Sequence, residues 1–214
     1  MARPTLNDDE RAQRRTQLLA AAHALFRATR ELPSVARIAE AAGVAKGSVY
    51  NSFSTKEEIF IALLEDSFAG LLAGAVDTIS ALPRGAEAAA GAFADGYVAA
   101  LSRFPDLLPL AGMTNAVLEK NLPVDAMLRF KTRLAAGLGA AGEALEAGRR
   151  IAHGDGTDLL LHTWSLTLGL WQALDYPAAI RPRLRRAGLA VLDRDFVTEL
   201  RAAVKVLWRG ALTT

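Results

Sequence analysis

Residues 35–53 read VARIAEAAGVAKGSVYNSF. Val35, Ile38, Ala39 and Ala42 recur at helical spacing ahead of Gly43, and Val44, Val49 and Phe53 are the next apolar residues, so the stretch reads as two short helices joined at a glycine. Ser34, just after Pro33, is a good cap for the first of them. Helices that cross over so short a turn need a small residue at the contact, which Ala39 supplies. They also need a residue at ease with positive φ, which Gly43 supplies. This is a helix-turn-helix pattern. Its second helix, expected from Lys46 to Ser52, is small or polar on its outward face. Lys46, Gly47, Ser48, Tyr50 and Asn51 are thereby free to meet base edges or phosphates.

The flanks extend the pattern. Upstream, Leu18, Ala22, Leu25 and Phe26 form one apolar stripe on a first helix whose other faces carry Arg11, Arg14, Arg15 and Arg27. Downstream, Thr55 and Glu58 make a capping box that starts a long fourth helix through Phe60, Leu64, Phe68 and Leu71. A helix start with Lys56 in its first turn is an anion site suited to a DNA phosphate. Residues 1–60 hold nine basic and seven acidic side chains, so phosphate anchoring rests on arrangement rather than on total charge.

The whole chain has 214 residues, 51% hydrophobic and 22% charged, with a formal charge of +2, which excludes disorder and implies a folded core. No cysteine is present, so a disulfide scaffold, a thiolate metal site and a cysteine nucleophile are excluded. The first fifteen residues carry charges where a secretory signal needs an apolar run, and the longest uncharged stretch, residues 159–174, is 16 residues long, short of a membrane span. Strand-like alternation is missing throughout. Pro33, Pro83, Pro105, Pro123, the 153–156 HGDG stretch and the 177–182 segment divide the rest into helices. An all-α protein of nine or ten helices is expected, with a small amino-terminal head and a larger helical body.

Taken together, Leu25-Phe26, Val35, Ile38-Ala39, Ala42-Gly43-Val44, Lys46 through Tyr50, Phe53 and Thr55-Lys56-Glu57 resemble the TetR family of bacterial one-component transcriptional regulators. The likeness covers about residues 15 to 64. Departures are the lack of a glycine in the ATREL stretch 28–32, Pro33-Ser34 where two threonines are common, Ala45 in place of a hydroxyl, and Ser52 in place of an aromatic residue or His. The resemblance implies a DNA-binding head over residues 1–55 and a ligand-binding and dimerisation domain over 56–214. It implies a cytoplasmic regulator, a repressor, that binds a palindromic double-stranded operator as a homodimer and is released by a small-molecule effector. Ser34, Arg37, Lys46, Gly47, Ser48, Tyr50, Asn51 and Lys56 form the expected DNA-binding set.

In the body, residues 158–175 are apolar on more than one side and need cover on two faces, and the last helix carries a matching stripe. Leu160, Leu168, Trp171, Phe196, Leu200, Val204 and Leu207 are the expected dimer contacts, in a four-helix bundle. Bulky or polar residues that could line an effector cavity are Phe93, Tyr97, Phe104, Met113, Asn115, Met127, Phe130, His162 and Trp164, each of which also reads as ordinary core. They suit an apolar or aromatic effector. His162, set in an apolar helix, is expected to need a buried partner. The GLGAAG run 137–142 follows a helical pattern rather than a strand, which argues against a dinucleotide site. Asp155-Gly156-Thr157-Asp158 reads as helix capping rather than a calcium loop, and Arg181, Arg183, Arg185 and Arg186 as a solvated face. No catalytic or metal-binding motif is present, so neither enzymatic activity nor a cofactor is expected, and no membrane partner. The competing reading is an all-helical carrier or interaction protein for a hydrophobic small molecule, without DNA binding.

Overall fold

The computed structural model describes residues 8–114, 118–149 and 151–212. Ten α-helices and no strands are present among the described residues: α1 Asp8–Thr29, α2 Val35–Ala41, α3 Lys46–Val49, α4 Lys56–Ser80, α5 Ala86–Ser102, α6 Leu107–Met113, α7 Val124–Arg149, α8 Asp155–Leu174, α9 Arg181–Arg186 and α10 Phe196–Leu212. The chain forms two compact units, Met1–Asp66 with Pro109–Lys131, and Ser67–Leu108 with Thr132–Thr214. α4 starts at Lys56 and runs unbroken to Ser80.

In the first unit, Leu18, Ala22 and Phe26 lie one helical turn apart on α1 and are fully buried. The Phe26 ring meets that of Phe60 at 6.0 Å. α1 ends through Arg30, whose N–H donates to the Phe26 carbonyl at 2.7 Å and whose φ is +59°. The missing glycine between the first two helices therefore has a consequence: an arginine takes the left-handed conformation a glycine would take freely. α2 starts at Ser34, whose Oγ accepts from the Arg37 N–H at 3.3 Å. It ends in a Schellman turn, in which Val44 N–H donates to Ala39 O at 2.9 Å and Gly43 N–H to Glu40 O at 3.0 Å, with Gly43 at φ +67°. The helix after the turn is shorter than the sequence suggested. The Val49 carbonyl accepts from both Ser52 and Phe53, at 2.9 and 3.0 Å, which closes α3 and drives Phe53 into the core beside Val49.

The second unit is assembled by close backbone approach. A Cβ added at Gly70 of α4 would overlap the Phe104 ring, one at Gly74 would lie 2.8 Å from the Ala100 Cβ, and one at Gly96 of α5 would overlap Thr78. α4 and α5 thus meet through glycines on both sides. The 137–142 run lies within α7, as its pattern implied, and its last glycine serves packing: a side chain at Gly142 would overlap Thr157 of α8. The start of α8 is capped differently from expectation. Gly154 stands at the cap position with no side-chain bond of its own. Glu146 of α7 accepts instead from the N–H groups of Gly154 and Gly156, at 2.9 and 3.1 Å, and lies 3.2 Å from His153 Nδ1. Partial burial raises the Glu146 carboxyl, and the bonds from His153, Gly154 and Gly156 outweigh it, so the group titrates below its ordinary value of 4.5. α10 packs on α5 first and on α8 second, burying Leu200, Val204 and Trp208 within its own chain.

Two measurements check this account. Arg30→Gly relieves a left-handed non-glycine residue and should raise unfolding stability by about 1 kcal/mol in chemical denaturation. Glu146 has a lowered folded-state pKa, so its contribution is present above 4.5 and is lost as pH falls through the folded value. Wild type should therefore exceed Glu146→Gln in stability at neutral pH, with the gap closing below that value.

Candidate functional site

The head presents a compact polar surface. Lys46, Gly47 and Asn51 are exposed, Tyr50 is 51% exposed, and Ser48 is half-buried rather than outward. Ser34 and Arg37 are exposed at the start of α2. Ala45 precedes α3 without any side-chain cap, so the first N–H groups of α3 keep no hydroxyl partner from that position. At the start of α4 the expected box forms: the Glu58 N–H donates to Thr55 Oγ1 at 3.2 Å, while the Glu58 carboxylate accepts from the Ser54 N–H at 2.7 Å. Glu57 is buried and 3.9 Å from Lys56 Nζ. The two carboxylates that would repel a phosphate at this helix start are thus withdrawn, one into the cap and one into the protein. Arg15 lies over the Phe53 ring at 4.4 Å, tying α1 to the residue that ends the α3 turn.

The body contains a hydrogen-bonded core with a defined direction. The Thr163 hydroxyl donates to Leu159 O at 2.7 Å and the Thr167 hydroxyl to Thr163 O at 2.7 Å. Each has spent its one hydrogen, so each can only accept from another side chain. Trp208 Nε1 donates to Thr163 Oγ1 at 2.9 Å, and the Tyr97 hydroxyl therefore donates to Thr167 Oγ1 at 3.0 Å. Burial raises the Tyr97 phenol to about 12 despite that bond, so it stays neutral. Phe93 stacks on Trp208, with ring centroids 3.3 Å apart, and on Tyr97 at 5.7 Å. Sequence reading passed over Thr163 and Thr167. Their spacing of four, which sets both on one face of α8, was the available signal.

An apolar cavity of about 50 Å³ lies beside Tyr97, bounded also by Phe68, Leu71, Leu138, Leu160 and Trp164. Phe68 and Trp164 meet edge to face at 4.4 Å on its wall. Of the expected effector contacts, Tyr97 and Trp164 line this cavity. Phe93 is buried against Trp208, and Phe104 packs on Gly70. Met113, Met127 and Phe130 belong to the other compact unit, and Asn115 lies outside the described residues. His162 needs no buried partner, since it is exposed on an open groove of about 820 Å³ between the start of α8 and the end of α10. Leu160, Leu200 and Val204, expected at the dimer contact, are buried within their own chain, Leu160 on the cavity wall and the other two where α10 packs on α5 and α8. Leu168, Trp171, Phe196 and Leu207 are half-buried, and Leu161 and Val206 are exposed beside them in the same two helices.

Comparison with known proteins accords with this architecture. Residues 18–63 match the family described as bacterial regulatory proteins, tetR family, and residues 62–214 match the tetracyclin repressor-like C-terminal domain. The chain belongs to the TetR family of transcriptional regulators. Among solved structures, it resembles a protein assigned to the TetR-family regulators from Mesorhizobium loti, with a TM-score of 0.59 and 18% identity over 95% of this chain and 96% of that one. It also resembles one so assigned from Shewanella sp. PV-4, with a TM-score of 0.51 and 17% identity over 92% and 97%. At these identities the likeness is one of fold. No curated protein matches the chain.

The directed core makes a test. Thr163→Val leaves the Trp208 N–H buried without an acceptor and should cost about 1–3 kcal/mol, whereas Ser165→Ala, at an exposed site of the same helix, should cost under about 0.5 kcal/mol. Adding Trp208→Phe to Thr163→Val should cost less than the sum of the two single changes in a double-mutant cycle.

Proposed function

We propose that this regulator is a repressor, without enzymatic activity or cofactor, that binds a palindromic operator as a homodimer in the cytoplasm and is released by a small apolar or aromatic effector. Residues 1–55 read DNA, and residues 56–214 bind the effector and dimerise. The observation that carries the DNA-binding reading is the exposed set Lys46, Gly47, Tyr50 and Asn51, held at a Schellman turn beside a capped helix start whose acidic groups are withdrawn. Asn51 and Tyr50 suit base edges, whereas Ser34, Arg37, Lys46 and Lys56 suit phosphates, and Gly47 permits close backbone approach. The family favours this reading over a carrier without DNA binding. α4 is long and apolar enough to cross a membrane, but half of its most apolar stretch is buried in the protein, which favours a core helix.

The effector reading is supported by the cavity beside Tyr97, whose walls are almost wholly apolar. At about 50 Å³ it accepts a bulkier ligand only if side chains move, and Phe68 and Leu71 on that wall belong to α4. α4 also carries the Thr55–Glu58 box, so an occupant acts on the helix that begins at the DNA-binding head. Dimerisation runs through the sides of α8 and α10 that the chain leaves uncovered, with Leu168, Trp171, Phe196 and Leu207 joined by Leu161 and Val206.

Operator binding tests the assignment of roles. Asn51→Ala should cost about 1–3 kcal/mol on the operator and little on random DNA. Lys56→Ala should weaken both alike and lower the slope of affinity against salt. Equal effects of both variants on both DNAs would refute the assignment. A cavity-binding effector should lower operator affinity about 5-fold to 150-fold, and Trp164→Ala should abolish that response in a titration of the operator complex.

A further inference from the structure

Half of the large apolar side chains left exposed among the described residues fall between 180 and 197: Ile180, Leu189, Val191, Leu192 and Val197. The first four belong to a segment that is firmly built. Arg181 donates to Asp193 at 3.0 Å and to Leu174 O at 2.9 Å, and Arg185 pairs with Asp193 at 2.8 Å. Those bonds anchor the segment to the end of α8 and contradict a merely solvated arginine face. Arg183 and Arg186 of the same short helix are exposed and engage no partner among the described residues. At the opposite end of α8, the groove of about 820 Å³ combines apolar walls, including Ile151, Leu159 and Val206, with the carboxylates of Asp155 and Asp158. These two also have no partner among the described residues.

We propose that the Ile180–Leu192 arm of one copy seats in the α8–α10 groove of a second copy, with Arg183 and Arg186 meeting Asp155 and Asp158. The proposal rests on the dimeric reading above. An arm cannot fill its own groove: α8 has 20 residues, so its ends lie about 30 Å apart, and Arg181 holds the arm at the far end. A second copy whose α8 runs antiparallel brings each arm to the other's groove, and two-fold symmetry makes the contact twice. Charge and apolarity both match, two arginines against two aspartates and exposed aliphatic side chains against an aliphatic trough. Neither charge pair has a counterpart among the described residues of the single chain.

Sedimentation of the full chain at low and high salt tests the pairing. Asp155→Arg with Asp158→Arg should raise the dimer dissociation constant at least about tenfold at low salt, and Arg183→Glu with Arg186→Glu should do the same. A chain carrying all four changes has its charges exchanged and should return to within about threefold of wild type. If neither pair alters a stable dimer, the arm contact is overturned while dimerisation stands. A monomeric wild type overturns both readings. Because the chain has no cysteine, Asp158→Cys with Val191→Cys gives an independent measurement. A short bismaleimide should yield a covalent dimer on a denaturing gel, and its absence refutes the contact even where a charge-reversed variant fails to fold.

Discussion

A buried hydroxyl has one hydrogen to give, and in α8 both Thr163 and Thr167 give theirs to their own helix. What remains is acceptor capacity in a dry interior, and only a donor from another element can satisfy it. Trp208 from α10 and Tyr97 from α5 answer, and the stacked Phe93 fills the space between them. Three helices distant in sequence are thereby set around one another in a single register. Apolar burial alone would tolerate several rotations of α10 about its axis, whereas a tryptophan N–H aimed at one hydroxyl tolerates one. The ion pairs Asp95–Arg201 and Glu87–Lys205 also join α5 and α10, but they are exposed and add little.

Much of the head is legible residue by residue because its determinants are local. Gly43 is required by a turn whose hydrogen bonds span five residues, and Thr55 with Glu58 by a cap that spans three. The stripe Leu18, Ala22 and Phe26 declares its burial through spacing. Where the determinants are distant, reading fails in identifiable ways. The stripe Leu200, Val204, Trp208 looks like an outward seam, and nothing local says that an alanine- and glycine-rich α5 is present to cover it. His162 sits in an apolar run yet faces the groove, since a helix with two uncovered sides does not reveal which is which. The cap of α8 arrives from Glu146, several residues upstream on another helix, and no spacing rule for caps reaches so far.

The head also shows how a departure from a common pattern is absorbed. Arg30 takes φ +59° and stays there because α1 must stop before Pro33. Its guanidinium lies over the Phe26 ring at 5.9 Å, an attraction that offsets part of the backbone cost. Ala45 leaves the start of α3 without a side-chain cap, whereas Glu58 closes the start of α4 and Glu57 beside it is buried.

The glycines between α4 and α5 bear on how the body can move. Phe104 fits against Gly70, Ala100 against Gly74 and Thr78 against Gly96, so each helix presents both a notch and a tooth. Sliding one helix along the other by even part of a turn would drive a side chain into backbone, and interlocked surfaces resist that kind of shear. The second half of α4 and α5 therefore travel as one block, and rearrangement around the cavity falls to the less tightly keyed side chains on its other walls. In hydrogen exchange, the amides of these two segments would open together, as a single cooperative unit rather than as two helices fraying independently.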